Sequence, residues 1–113
     1  MAGSLTVEVV TPEVALWRGP ATSLKSRTSD GELMVLAQHT PLVGDVVPGV
    51  LVVVGPEGTT YIAVDGGYLQ VSSDGEGGTR ATVLASVAEV AASEEAAREA
   101  LANLVAGDET PLD

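Results

Sequence analysis

Gly49-Val50-Leu51-Val52-Val53-Val54 is an unbroken apolar run dominated by β-branched residues, and Gly55-Pro56-Glu57-Gly58 closes it before the alternating Thr59-Thr60-Tyr61-Ile62-Ala63-Val64. Branching at Cβ stiffens a side chain against the preceding helical turn and favours the pleated strand. Glycine and proline between two such runs supply the turn. The segment reads as a β-hairpin of one continuous apolar strand and one alternating strand. Such a hairpin is stable only when further strands cover its apolar face.

The rest of the chain supplies them. Leu5-Thr6-Val7-Glu8-Val9 alternates with the period of two expected of a strand with one wet face, and Thr11-Pro12-Glu13 stops it. Residues 21–28 form a second strand candidate, turned by Ser29-Asp30-Gly31-Glu32, where Gly31 can take a positive φ, into Leu33 to Leu36. Gly66-Gly67 permits a tight turn or bulge before Tyr68-Leu69-Gln70-Val71, and Asp74-Gly75-Glu76-Gly77-Gly78 joins that strand to Arg80 to Leu84. Many short strands at close spacing predict a β-sandwich or flattened barrel.

Past Ala85 the composition changes to alanine and glutamate. Ser93 fits a helix N-cap, with Glu94 and Glu95 in the first turn facing the positive end of the dipole. Ala97, Ala100, Leu101, Leu104 and Val105 make one apolar stripe, and Gly107 is the expected stop. A helix of about 20 Å is marginal alone in water and needs a surface for that stripe. The predicted organisation is therefore a mainly β chain: residues 1–86 as a β-sandwich domain, and 87–113 as a short helical segment with an acidic tail.

Composition excludes several functions. With 16 acidic and 5 basic residues the formal charge is -11, which opposes binding to nucleic-acid phosphates or anionic lipid. No cysteine is present, removing disulfides, thiolate nucleophiles and cysteine-held metals, and matching a reducing, cytoplasmic setting. No stretch approaches the roughly 18 apolar residues of a membrane span, so direct membrane insertion is not expected. His39 is the only histidine. Nucleophilic catalysis needs an activated nucleophile and an oriented base, and although a cluster of Ser29, Asp30 and His39 can be drawn, it rests on the sole imidazole of the chain and is not the expected reading. No metal-ligand spacing or phosphate-binding loop appears, and neither a metal nor another cofactor is expected. Taken alone, His39 reads as a structural imidazole before Pro41, Glu32 as a solvated turn carboxylate, and Trp17 as a packing anchor.

An ordered set of short motifs resembles the epsilon subunit of F-type proton-translocating ATP synthases. The set is Val10-Thr11-Pro12, Trp17, Gly19 and Ala21; Asp30-Gly31-Glu32, Leu36, His39, Pro41-Leu42 and Pro48-Gly49; then Gly66-Gly67-Tyr68-Leu69-Gln70-Val71 and Val83-Leu84-Ala85. It covers roughly residues 5 to 85, and its order and spacing are more specific than any one motif. The resemblance implies an N-terminal ten-stranded β-sandwich followed by a truncated form of the family's helical hairpin. It implies a non-catalytic rotor subunit of the central stalk, binding the gamma subunit and the c-ring, with the alpha/beta catalytic head as a further candidate partner that an extended C-terminal arm of this length would not reach, and not a functional homo-oligomer. The chain would then sit peripherally at the cytoplasmic face of a bacterial plasma membrane, held by its partners. By the same resemblance Glu32, His39 and Leu42 are the expected contacts on the c-ring side.

The chain departs from the family pattern at several places. Met34 and Gln38 stand where glycines are usual around the Glu32 and His39 motifs. The nucleotide motif of some members, Ile/Leu-Asp-x-x-Arg-Ala, aligns with Glu94-Glu95-Ala96-Ala97-Arg98-Glu99. Glu95 and Arg98 are thus weak nucleotide-binding candidates, and the added carboxylates predict no useful ATP binding. Six residues follow Gly107, so a second helix is not expected in this sequence, and regulation of ATP hydrolysis is expected to be weak. The competing readings are a free β-sandwich that binds a small ligand or peptide, and a minimal hydrolase using His39.

Overall fold

A computed structural model of the chain describes residues 4–108. Ten strands precede one helix: β1 (Leu5–Val10), β2 (Ala15–Ala21), β3 (Ser23–Thr28), β4 (Gly31–Leu36), β5 (Leu42–Val46), β6 (Gly49–Gly55), β7 (Gly58–Val64), β8 (Gly67–Ser73), β9 (Thr79–Ala85), β10 (Ala88–Ala91) and α1 (Glu94–Asp108). The ladder runs β10-β7-β6-β3-β5-β8-β9-β1-β2, with β4 added to the free side of β3. It folds into two layers, β4-β3-β6-β7-β10 and β5-β8-β9-β1-β2, bridged where Thr28 of β3 pairs with Val46 of β5. All pairs are antiparallel except β1 with β9. This is the ten-stranded sandwich that the family resemblance implies.

Alternation decides the core. Leu5, Val7 and Val9 of β1, Leu51 and Val53 of β6, Ile62 and Val64 of β7, Leu69 and Val71 of β8, and Ala81 and Val83 of β9 all point between the layers and are buried. Full burial of a Val or Leu side chain contributes about 1.5–3 kcal/mol relative to exposure. Small branched side chains thus fill a thin sandwich that contains no phenylalanine at all. Trp17 stands at the side where β2 faces β6 without pairing, and its ring packs against this core.

Three strands lie where sequence patterning gives none. β2 contains Gly19 and Pro20, and Pro20 is tolerated because β2 is an edge strand whose outer side needs no donor. β5 is five residues long and carries Gly44 and Asp45, both poor strand formers. β10, Ala-Glu-Val-Ala, pairs with β7 although it falls past residue 86 in the segment read as helical. Tertiary pairing overrides weak local preference in all three.

The helix starts as its cap predicts: the Ala96 N–H donates to Ser93 Oγ at 3.1 Å, and Ala97 N–H to the Ser93 carbonyl at 2.9 Å. It continues through Gly107 to Asp108, one residue beyond the expected stop. It lies on the outer face of β6, β7 and β10. Ala97 and Ala100 are buried there, Leu101, Leu104 and Val105 are half-buried, and Ala63 on β7 is fully covered. Small residues on both sides permit this close approach.

Candidate interaction surfaces

The turns divide between two ends of the sandwich. One end carries Thr11 to Val14, Ser29-Asp30, Val47-Pro48, Asp65-Gly66 and Ser86-Val87; the other carries Thr22, Ala37 to Pro41, Pro56-Glu57 and Asp74 to Gly78. Ser29 and Asp30 belong to the first end and His39 to the second. β4 separates them, a distance of about 17–20 Å at 3.3 Å per residue. The three residues of the hydrolase reading therefore form no site, because a strand of fixed rise stands between them. Among the described residues no group of three or more His, Asp or Glu side chains is gathered to hold a metal.

The same strand separates the expected contacts Glu32 and His39. Glu32 begins β4, exposed, directly across from Arg27 of β3. On the same outer face Met34 lies opposite Lys25 and Leu36 opposite Ser23. Met34 is 52% exposed and Leu36 51%, so the outer side of β4 is a line of one carboxylate and two bare apolar side chains. No strand pairs with its free edge among the described residues.

His39 follows that line around a tight corner. Gln38 takes a left-handed backbone, φ 69°, and donates its N–H to Thr79 Oγ1 at 2.7 Å, while the His39 N–H donates to the Leu36 carbonyl at 3.1 Å. His39 Nδ1 lies 2.7 Å from the Thr40 carbonyl. A carbonyl only accepts, so Nδ1 is the donor in this contact. Leu42, the third expected contact, is half-buried against the core. Its neighbour Val43, 73% exposed, is the side chain that β5 presents to solvent.

A second apolar surface crosses the outer face of the other layer; its residues fall in the Val10-Thr11-Pro12, Gly66 to Val71 and Val83 to Ala85 motifs, none of which by itself marks an interface. Register places Tyr68 of β8 beside Leu84 of β9, and Leu84 beside Val10 of β1. Tyr68 is 58% exposed and Leu84 45%, with Val14 bare at the same end. Pro12 and Thr11 close the rim of this shallow apolar depression.

A third feature is a groove between α1 and the β3–β4 pair. Lys25, Arg27 and Arg98 line it with Glu32 and Glu94, over a floor of Gly49, Val50 and Val52. Arg98 is held by Glu94 at 3.1 Å, an exposed i,i+4 pair of the kind worth about 0.3–0.5 kcal/mol. Glu95 is exposed on the helix. The Arg27 stem lies over Gly49, where a Cβ would sit 3.3 Å from its Cδ.

Residues 4–91 match the family model described as the ATP synthase delta/epsilon chain, beta-sandwich domain. The chain is similar to the ATP synthase epsilon chain of Mycolicibacterium smegmatis, 46% identical over 62% of this chain and 60% of that one. It is 42% identical to the epsilon chain of Mycobacterium avium over 85% of this chain and 78% of the relative. The matches thus span 60% and 78% of the relatives' lengths. A chain in the Euglena gracilis mitochondrial ATP synthase structure (OSCP/F1/c-ring) superposes with a TM-score of 0.69 at 21% identity, covering 100% of this chain and 71% of that one. One in the Tetrahymena thermophila mitochondrial central stalk/c-ring structure gives 0.62 at 14% identity, covering 78% and 67%. At those identities the two structures establish a shared fold.

Proposed function

This chain belongs to the ATP synthase delta/epsilon family as one of its epsilon chains, and on that footing we propose that it is a central-stalk subunit fixing the c-ring to the gamma subunit. Proton flow through the ring then drives ATP synthesis without slippage. The chain transmits torque and makes or breaks no bond. Its place is peripheral, at the cytoplasmic face of a bacterial plasma membrane; bacterial relatives support this reading, and among the described residues no helix is long and apolar enough to cross a membrane.

The observation that carries the proposal is a pair of bare apolar surfaces on separate layers of one rigid body. The line along β4, from Glu32 through Met34 and Leu36 to His39, is the proposed ring contact. The depression at Tyr68, Leu84 and Val10 is the proposed gamma contact. The core shared by the two layers and the Thr28–Val46 bridge lock the two surfaces together, so rotation of one carries the other. Buried apolar area supplies the affinity, at about 25 cal/mol per Å² before binding costs, while Glu32 and His39 set orientation as rim groups.

In this reading the chain divides into a strand domain and a helical segment, with β10 giving the strand domain its last edge. We further propose that the helix carries no nucleotide site. Arg98 is engaged by Glu94, and Glu94, Glu95 and Glu99 surround it with charge that opposes phosphate. Purification of the complex through a tag on this chain tests the function. Recovery of gamma and ring subunits supports it, and recovery of the chain alone refutes it.

A further inference from the structure

We propose that the groove between α1 and the β3–β4 pair is a docking slot for an acidic, partly apolar segment of a neighbouring subunit. Three of the chain's five basic side chains, Lys25, Arg27 and Arg98, converge there on a chain of net charge -11. Against them stand Glu32 and Glu94, which leaves the groove net positive within a strongly negative molecule. Glu94 is committed to Arg98. Among the described residues, Lys25 and Arg27 have no ion-pair partner.

Lys25 is the most telling of these. Its cross-strand neighbours on the outer face are Met34 on one side and Val52 on the other. An ammonium between two apolar side chains gains nothing from them, whereas a carboxylate laid across the groove satisfies it and buries both flanks. Nucleic acid and anionic lipid bring phosphate without the apolar side chains that Val50, Val52 and Leu101 call for, and the surrounding charge repels their extended negative surfaces. A polypeptide segment with one or two carboxylates and an adjacent aliphatic residue meets both requirements. The inference rests on the reading that the chain works inside a multi-subunit complex.

Lys25 is the only lysine in the sequence, so its ε-amine is the one side-chain amine to follow. Acetylation of Lys25 by an amine-reactive reagent is to be compared in the free chain and in the purified complex. The expected result is a rate about tenfold lower in the complex, since a docked segment excludes water and reagent. Zero-length carbodiimide coupling should then join Lys25 to an Asp or Glu of another subunit. Equal acetylation rates, or coupling only to Glu32 or Glu94 of the same chain, overturn the inference. Protection of Lys25 in the free chain by millimolar ATP also overturns it, by assigning the groove to a nucleotide. A chain absent from the complex fails the proposed function itself, and the inference with it; a chain present with Lys25 fully reactive fails this inference alone.

Discussion

Glu32 and His39 stand at opposite ends of β4, one across from Arg27 at the strand's start and the other beyond the Leu36 corner. A partner touching both must lie along the strand, over Met34 and Leu36. The contact is then a line of apolar side chains with a polar group at each end.

That geometry orders the effects of substitution on ring binding. Met34→Asp should weaken the association of this chain with the ring by about 2 kcal/mol or more, because it places a charge at the centre of a desolvated contact. Glu32→Ala should cost less than about 1 kcal/mol and mainly change the salt dependence. Titration of each variant onto complex stripped of this chain, at two ionic strengths, measures both.

Gln38 occupies a left-handed backbone conformation where an L side chain is strained. Gln38→Val should destabilise the fold by about 1–2 kcal/mol, since β-branching makes that conformation worse. Gln38→Gly should leave stability within about 0.5 kcal/mol, relief of strain being offset by the greater freedom of the unfolded chain. Urea denaturation of the three proteins gives the comparison.

Ser26 sits fully buried in β3 with its Oγ unpartnered. A buried hydroxyl without a hydrogen bond costs about 1–3 kcal/mol. Ser26→Ala should therefore stabilise the fold by about 1 kcal/mol after the small loss of packing, and raise the denaturation midpoint accordingly. A fall in the midpoint would show that the hydroxyl has a partner.

In the β8–β9 loop the Asp74 carboxylate takes two backbone donors, beside the Asp74 N–H bond to the Gly78 carbonyl and the Gly75 N–H bond to Ser73 Oγ. Asp74 Oδ1 accepts the N–H of Glu76 at 2.8 Å and of Gly78 at 2.9 Å, and with nearby Arg80 these bonds hold its pKa below the ordinary 3.8. A depressed carboxyl pKa contributes stability that is present above the ordinary value and lost as pH falls through the lowered one. The carboxyl of Asp74 should titrate below 3.8 by NMR. Asp74→Ala should speed amide exchange at Glu76 and Gly78 at neutral pH.

Much of this fold is legible in the amino-acid sequence. The Val50 to Val54 run, the turns at Gly31 and Gly55 to Gly58, and the Ser93 cap each carry a local signal strong enough to stand alone. Strands β2, β5 and β10 do not, because Pro20, Gly44 and a short Ala-rich stretch become strands only through their neighbours. The surfaces are harder to read. Alternation places Leu42 and Val43 on opposite faces without saying which is buried, and it is Val43 that β5 exposes while Leu42 leans on the core. Tyr68 and Leu84 meet only through the register of β8 with β9, which no single segment encodes. The separation of Glu32 from His39 is hidden for the opposite reason: closeness in sequence is not closeness in space when an extended strand lies between.

Coupling in inverted membrane vesicles tests the central claim most directly. Vesicles from a strain lacking this chain are to be complemented either with it or with a Tyr68→Asp, Leu84→Asp variant, and proton pumping is measured per ATP hydrolysed. Restoration by the unaltered chain, with the variant leaving hydrolysis intact but pumping lost, is the predicted result. Full pumping in vesicles that contain no copy of the chain would contradict the account.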